Sequence, residues 1–308
     1  MQLVQEDKHP APPGHPENPA RMKYALEYIL SSDIAEEIVE INPKGIDPSS
    51  AVFGVHDKKY IERLKSAPVD KWGYLDSDTY LSGRSFSAAW ETASAAVEAV
   101  DFIILGSYRR VHLAGRPPGH HAEHDHGMGF CLINNTAVAA EHACHNHGLN
   151  RVAIVDWDVH HGNGTQHIFY ERDDVYYISL HHYPFYPGSG ATAERGKGRG
   201  EGFTLNVPLP AGSGGTTYLR AFDNLIIPEL KKYRPELVII TAGFDAHKSD
   251  PLGGMELTEE AFGKMTALLV EIAREYASGK TLSLFEGGYN PRGNALSLYH
   301  HLKELEKD

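Results

Sequence analysis

Five short runs rich in Val, Ile or Leu, at 151–155, 175–180, 203–207, 237–241 and 281–285, constrain the fold more than any other feature of the chain. Most lack polar alternation. A strand with one wet face alternates apolar and polar residues, whereas a strand apolar throughout is buried on both faces, as in a parallel sheet covered by helices. Helical stretches lie between and before these runs, the order expected of such a sheet. Asn18 can cap a helix with Pro19 at its first position and Met22, Ala25, Leu26 and Ile29 on one face. The stretch 85–105 is Ala-rich and apolar-periodic, 134–147 runs up to Gly148, a good residue just past a helix end, and 258–277 and 291–305 also read as helices. The expectation is an α/β fold: a central, mainly parallel β-sheet flanked by α-helices. No repeat or low-complexity linker interrupts the 308 residues, and 41% hydrophobic content supports a large core, while length alone allows one or two domains.

Gly and Pro concentrate where the apolar runs end, in RPPGHH (116–121), HHGNG (160–164), YPGSG (186–190), AGFDAHKSDPLGG (242–254) and EGGYN (286–290). Ligands of open α/β sheets bind outside the carboxyl ends of the strands. Loops loaded with Gly, His and Asp there point to one composite site. Histidine supports this, since 13 of the 19 fall between His112 and His182, and imidazole is both a common metal ligand and an acid–base group.

Composition narrows the function. A net charge of −12 argues against a nucleic-acid surface. No stretch approaches the roughly 20 apolar residues of a membrane span, and the first 21 residues lack the apolar core of a signal peptide. Two cysteines, Cys131 and Cys144, make no disulfide framework, and the chain reads as cytoplasmic.

The strongest local signal is Val155-Asp156-Trp157-Asp158-Val159-His160-His161. Residues two apart share a face of an extended segment, so Asp156, Asp158 and His160 are expected to project together. Two carboxylates and an imidazole converging in a dry site call for a cation. Asp245, at the end of the run 237–241, is the natural third ligand. Three protein ligands leave a position open for water and substrate, as in catalytic zinc sites. No Cys-x-x-Cys or His-Glu-x-x-His is present, which excludes thiolate zinc and the common metalloprotease helix. Tandem His120-His121, on a loop braced by Pro and Gly, suits a proton-transfer pair; His181-His182 reads as a surface dipeptide. Tyr289, after two glycines, is placed to donate to a developing oxyanion.

With GHPENPAR, RPPGHHAE, MGFCLINN, DWDVHHGNGTQ, SLH at 179–181, YPGSG, NVPLP, AGFDAHKSDPLG and EGGYN in this order from residue 14 to 290, the chain resembles the histone deacetylase family, in particular its class II and bacterial branch. The resemblance implies the arginase/deacetylase fold as a single domain over 1–308, and a zinc-dependent deacetylase acting on acetyl-lysine in proteins or peptides, with acetylpolyamine amidohydrolase as the alternative. It implies Asp158, His160 and Asp245 on zinc (or ferrous iron), His121 as general base, His120 as its electrostatic or acid partner, and Tyr289 polarising the scissile carbonyl. It further implies a structural potassium ion at Asp156, Ser179 and Leu180 with the backbone of Asp158 and His160. Gly129, Phe130 and Tyr186 match positions lining an acyl-lysine tunnel, Asp78 an acidic loop residue that grips substrate backbone, and Arg21 an arginine beside an internal cavity.

Departures from the family pattern sharpen the reading. Asn163 stands where class I members carry an Asp oriented toward the second histidine, as is usual in class II, and is expected to leave His121 less basic. Leu252 stands where the polyamine-specific eukaryotic branch places an acid. Tyr289 distinguishes the chain from a low-activity branch with His at that place. The strand that normally precedes GHPE is interrupted by His9-Pro10, so an N-terminal edge strand is expected to be missing. An arginase-like two-manganese site fits poorly, because the chain carries Asp-x-Asp-x-His rather than Asp-x-His-x-Asp, and a catalytically dead binder fits poorly because every candidate catalytic group is present.

Overall fold

The computed structural model describes residues 9–67 and 72–307. A short antiparallel hairpin, β1 (Gly73–Tyr74) and β2 (Tyr80–Leu81), stands apart from the main sheet. That sheet contains β3 (Arg110–Leu113), β4 (Val152–Asp156), β5 (Val175–His182), β6 (Thr204–Leu209), β7 (Leu237–Ala242) and β8 (Thr281–Phe285), in the order β3-β8-β7-β4-β5-β6. Every neighbouring pair is parallel. The five apolar runs are β4 to β8, each within two residues of its expected bounds. β3 escaped the sequence reading because Arg110-Val111-His112-Leu113 is short and alternates, and half of it is incompletely buried.

Alternation divides the strands between two cores. Ala153, Val155, Ile178, Val238 and Ile240 face one cluster, and Val152, Ile154, Tyr177, Leu237 and Ile239 face the other. The first is covered by α1 (Pro19–Leu30), by α7 (Gly215–Ala221) and α8 (Ile227–Tyr233), which a π-helical turn at Phe222–Ile226 joins, and by α9 (Glu259–Tyr276) and α10 (Pro291–Glu306). The second is covered by α2 (Ser49–Val55), α3 (Lys58–Lys65), α4 (Ser85–Ile104), α5 (Asn135–His145) and α6 (Asn163–Phe169).

Three asparagines set helix starts near the strand ends. Asn18, Asn134 and Asn290 cap α1, α5 and α10 through side-chain oxygens that accept backbone N–H groups of Ala20, Ala137 and Gly293. Among the described residues, 9–18 form no strand, and residues 1–8, where an N-terminal edge strand would lie, are outside the described residues. β3 is therefore one edge of the described sheet.

The strand order reverses at β4. Its partner β5 lies on one side and β7 on the other, so the loops after β4 and β7 leave the sheet side by side. That switch point is where open α/β sheets build ligand sites. No helix among the described residues is long and apolar enough to cross a membrane.

Candidate active site

Asp158 and His160 follow β4, and Asp245 follows β7. The Nδ1 atom of His160 lies 3.1 Å from Asp158 Oδ1 and 3.2 Å from Asp245 Oδ2. Both carboxylates are fully buried. Gly287 N–H donates to Asp158 Oδ2 at 2.9 Å, and Val159 N–H donates to Asp245 Oδ1 at 2.8 Å. Asp245 Oδ2 has no hydrogen-bond partner among the described residues. A side chain at Gly287 would collide with the carboxylates of Asp245 and Asp158, which is why the EGGYN loop carries glycine here.

The electrostatics suit a cation. Burial and then the Asp158 charge push Asp245 up to about 7. Burial alone would lower His160, yet Asp158 and Asp245 carry it up to about 9. The field that holds a proton on His160 is the field a divalent ion would meet. Ligands at about 2.0–2.1 Å in tetrahedral array sit roughly 3.3 Å apart, close to the 3.1 and 3.2 Å spacings here. Spacing, the unpartnered Oδ2 and the donor chemistry all fit a metal ion.

Asp156 behaves differently from the expectation that it projects with Asp158 and His160. The extended strand ends at Asp156, so the two-residue alternation stops there. Its Oδ2 accepts from His120 Nδ1 and from Tyr177 OH, each at 3.0 Å, and its Oδ1 from Asp158 N–H at 3.1 Å. The β4–β5 register places Ser179 directly beside it, with Leu180 next along β5. The Ser179 hydroxyl pairs with His181 Nδ1 at 2.9 Å. His181-His182 is thus no surface dipeptide: these are the last residues of β5, His181 is buried, and its Nε2 meets the Gly190 carbonyl at 2.9 Å.

His120 and His121 are buried, with ring centroids 4.0 Å apart. Their loop is held by Glu286, whose Oε2 accepts Gly119 N–H at 2.6 Å and His120 N–H at 3.3 Å. Burial opposes charge on His120, but Asp158 and Asp156 raise it to about 10. For His121, burial and then the neighbouring His120 and His160 hold the imidazole well below its ordinary range. Charge is thus favoured on one tandem histidine and disfavoured on the other. His121 Nδ1 meets Asn163 Oδ1 at 2.7 Å, the contact expected for residue 163.

Aromatic groups surround this pair. Tyr186 packs edge-on to His121 at 5.2 Å and to His160 at 6.0 Å, and Phe130 packs edge-on to Tyr289 at 5.8 Å. Gly129, at φ 56°, lies against the His121 ring, where any side chain would strike it. Phe130 N–H donates to Thr79 Oγ1 at 3.0 Å, which fastens this wall to the β1–β2 hairpin. Asp78, half-buried in that hairpin, adds negative charge near Tyr186. Burial and then the Asp245 charge push the Tyr289 phenol well above its usual range, so it stays protonated. Leu252 is exposed on the loop after Asp250, whose Oδ2 accepts Tyr289 N–H at 2.6 Å.

Arg21 is buried beneath this loop. Its Nη1 donates to the Glu286 carbonyl at 2.7 Å and to the Gly288 carbonyl at 3.4 Å, and its guanidinium lies 5.0 Å from the Phe285 ring centre and 5.5 Å from that of Tyr289.

The histone deacetylase domain model matches residues 15–305. The "Histone deacetylase-like amidohydrolase" of Pseudomonas aeruginosa is 40% identical over 91% of this chain and 74% of its own length. "Histone deacetylase 14, chloroplastic" of Arabidopsis thaliana is 35% identical over 90% of this chain and 69% of its own. The crystal structure of the HDA15 HD domain superposes with a TM-score of 0.90 at 38% identity, covering 95% of this chain and 82% of that one. The chain belongs to the histone deacetylase family. Its sheet and flanking helices form the arginase/deacetylase fold.

Several residues of this histone deacetylase-family site went unseen in the sequence. Glu17 accepts from Arg116 Nη2 at 2.6 Å and from Arg21 Nη2 at 3.2 Å, all three side chains being buried. Glu123 touches Asn163, and Glu286 holds the tandem histidines. The strings GHPENPAR, RPPGHHAE and EGGYN contained these acids, but nothing in their spacing showed which basic or amide group each would meet. A second His/Asp group, Asp101 with His142 and His147, lies at the α4–α5 contact. Both Nε2–Oδ1 distances there are 2.7 Å, the spacing of a hydrogen bond.

Proposed function

We propose that this histone deacetylase-family protein is a zinc-dependent hydrolase of acetyl-lysine amides in proteins or peptides. The observation that carries the reading is the convergence of Asp158, His160 and Asp245, with Asp245 Oδ2 lacking a hydrogen-bond partner among the described residues, beside a neutral His121 and a protonated Tyr289. Zinc, or ferrous iron, held by these three residues would supply Lewis acidity to the amide carbonyl and to an attacking water.

The chain's own groups then have distinct tasks. His121, low in proton affinity and held at Nδ1 by Asn163, offers Nε2 to take the proton of the attacking water. It returns that proton to the lysine nitrogen as the C–N bond breaks, yielding acetate and the free amine. His120, hydrogen-bonded through Nδ1 to Asp156, lies beside it, and the nearby acids favour its charged form, which suits it to stabilise negative charge. Tyr289 donates its hydroxyl proton in a hydrogen bond to the carbonyl oxygen as charge develops. Gly129, Phe130 and Tyr186 form an apolar passage for the methylene stem, whose charge acetylation has removed. Asp78 at its rim engages the substrate backbone. Arg21 anchors the Tyr289 loop through the Glu286 and Gly288 carbonyls.

Asp156, Ser179 and Leu180, with backbone carbonyls of Asp158 and His160, are assigned to a structural potassium ion, a reading supported by the β4–β5 register. Two buried, unpaired cysteines support a cytoplasmic setting. Direct nucleic-acid and membrane contacts form no part of this function.

Acetylpolyamines are the alternative substrate. Leu252 supplies no acid for a distant ammonium, which favours acetyl-lysine. Comparing kcat/KM for an acetyl-lysine peptide and for acetylputrescine tests the choice: a clear preference for the peptide is expected, and a large preference for acetylputrescine would overturn it.

A further inference from the structure

Behind His121 lies a line of side chains that runs from the site to the surface. Asn163 and His167 lie four residues apart on one face of α6, and both reach Glu123. Asn163 Nδ2 donates to Glu123 Oε1 at 2.5 Å, and His167 Nδ1 meets Glu123 Oε1 at 2.7 Å and Oε2 at 2.9 Å. The main chain of Glu123 is fixed at both ends. Its N–H donates to the His126 carbonyl at 2.9 Å, and its carbonyl accepts from His56 Nδ1 at 2.8 Å. Glu123, Asn163 and His121 are all buried, while the His167 side chain is 53% exposed.

The donor and acceptor count along this line leaves one arrangement. An ionised carboxylate only accepts, whereas an amide has one accepting and one donating end. Glu123 therefore draws the Asn163 NH2 toward itself and turns Oδ1 toward His121. The second N–H of that amide meets Met128 Sδ at 3.4 Å, a weak acceptor. Flipping the amide would set Oδ1 against a carboxylate and a thioether, neither of which donates. With Oδ1 facing it at 2.7 Å, His121 Nδ1 must carry the proton. Its Nε2 is then left with a free lone pair.

We infer that Glu123 is a positioning residue for the reaction: through Asn163 it fixes His121 in the Nδ1–H tautomer, and His167 holds Glu123 in place from the surface. The inference rests on His121 being the base. It also changes the meaning of Asn163→Asp. That substitution alone sets two carboxylates 2.5 Å apart, so one must take up a proton, and its effect does not report His121 basicity alone.

The test compares Glu123→Gln, Asn163→Asp and the double variant. An amide in place of the Glu123 carboxylate lets the Asn163 amide flip and release Nδ1, so kcat is expected to fall about tenfold, less than the roughly 10²–10⁴-fold that a positioned acid–base group supplies in full, with KM little changed. Asn163→Asp is expected to fall as well. In the double variant the introduced glutamine donates to the introduced aspartate, which accepts His121 Nδ1–H, so its kcat should exceed that of both single variants. Long-range 1H–15N NMR of the histidine side chains gives a second readout, with Nε2 of His121 unprotonated in the wild type and protonated in part in Glu123→Gln. That spectrum reports on Glu123 even if the protein hydrolyses no acetyl-amide, so failure of the proposed function and failure of this inference remain distinct. Should Glu123→Gln lose its fold, Asn163→Asp against the double variant decides instead. Wild-type kcat with an unaltered His121 tautomer in Glu123→Gln, or a double variant no better than the single ones, would overturn the inference.

Discussion

Asp245 Oδ2 lies 3.2 Å from Nδ1 of His160 and has no hydrogen-bond partner among the described residues, although Asp245 is fully buried. An unpartnered buried carboxylate oxygen costs about 1–3 kcal/mol or more, and coordination of a cation removes that cost. Asp245→Asn is therefore expected to weaken zinc binding by more than the roughly 10–100-fold lost with an outer-shell partner. At a hundredfold excess over Kd, zinc adds about 2.7 kcal/mol of stability. Thermal melts should accordingly show a chelator lowering Tm by several degrees in the wild type and having little effect on Asp245→Asn. Equal chelator sensitivity in both would remove Asp245 from the metal site.

Tyr289→Phe isolates the phenol from its packing. The ring contact with Phe130 at 5.8 Å is kept and only the hydroxyl is lost. Removing one oxyanion donor costs roughly 10²–10³ in kcat. Steady-state kinetics on an acetyl-lysine peptide should show that loss with KM nearly constant, and an unchanged kcat would mean that Tyr289 does not polarise the carbonyl.

The buried acid Glu17 neutralises Arg116, at 2.6 Å, and Arg21, at 3.2 Å. Burial works against its charge, but Arg116 first, and then His9 and Arg21, hold its carboxyl well below the usual range. Breaking a buried pair leaves the partner charge uncompensated, at about 3–5 kcal/mol. Glu17→Gln should lower the free energy of urea unfolding by that order. A change below about 1 kcal/mol would show that the arginines find other partners.

His56 makes stability depend on pH. Asn134 N–H donates to its Nε2 and its Nδ1–H donates to the Glu123 carbonyl, so the folded protein holds it neutral. Burial lowers it to about 4, against about 6.5 in an unfolded chain. Between these values the unfolded chain binds a proton that the folded one does not, so stability falls as pH falls from about 6.5 to 4. The contribution of His56 is about 3 kcal/mol, and His181, also lowered to about 4, adds to the same window. His56→Gln can keep both hydrogen bonds without titrating. Its unfolding free energy should vary less steeply with pH across this window, and a slope equal to the wild type would contradict the assignment.

The residues whose chemistry is local were legible in the sequence alone. Runs such as 237–241 are apolar on both faces because both faces are buried, and Asn18-Pro19 carries its own helix start. Asp158, His160 and Asp245 were readable because each follows an apolar strand, and the switch point between β4 and β7 brings such strand ends together. Asp156 was harder: where the strand stops decides which way a side chain faces, and a strand end is the least certain boundary in a sequence. Arg110–Leu113 was invisible because an edge strand need not be apolar throughout. Glu17, Glu123 and Glu286 act through partners 99, 40 and 167 residues away. Such partners are set by the fold, not by the spacing of neighbours along the chain.

The function we propose is amide hydrolysis at one metal held by Asp158, His160 and Asp245. Acetate release from an acetyl-lysine peptide, followed while metal-stripped protein is titrated with zinc, tests it most directly. Turnover should rise in proportion to zinc and level off at one equivalent per chain, with Asp245→Asn inactive throughout. Turnover indifferent to zinc, or rising until two equivalents are bound, would contradict it.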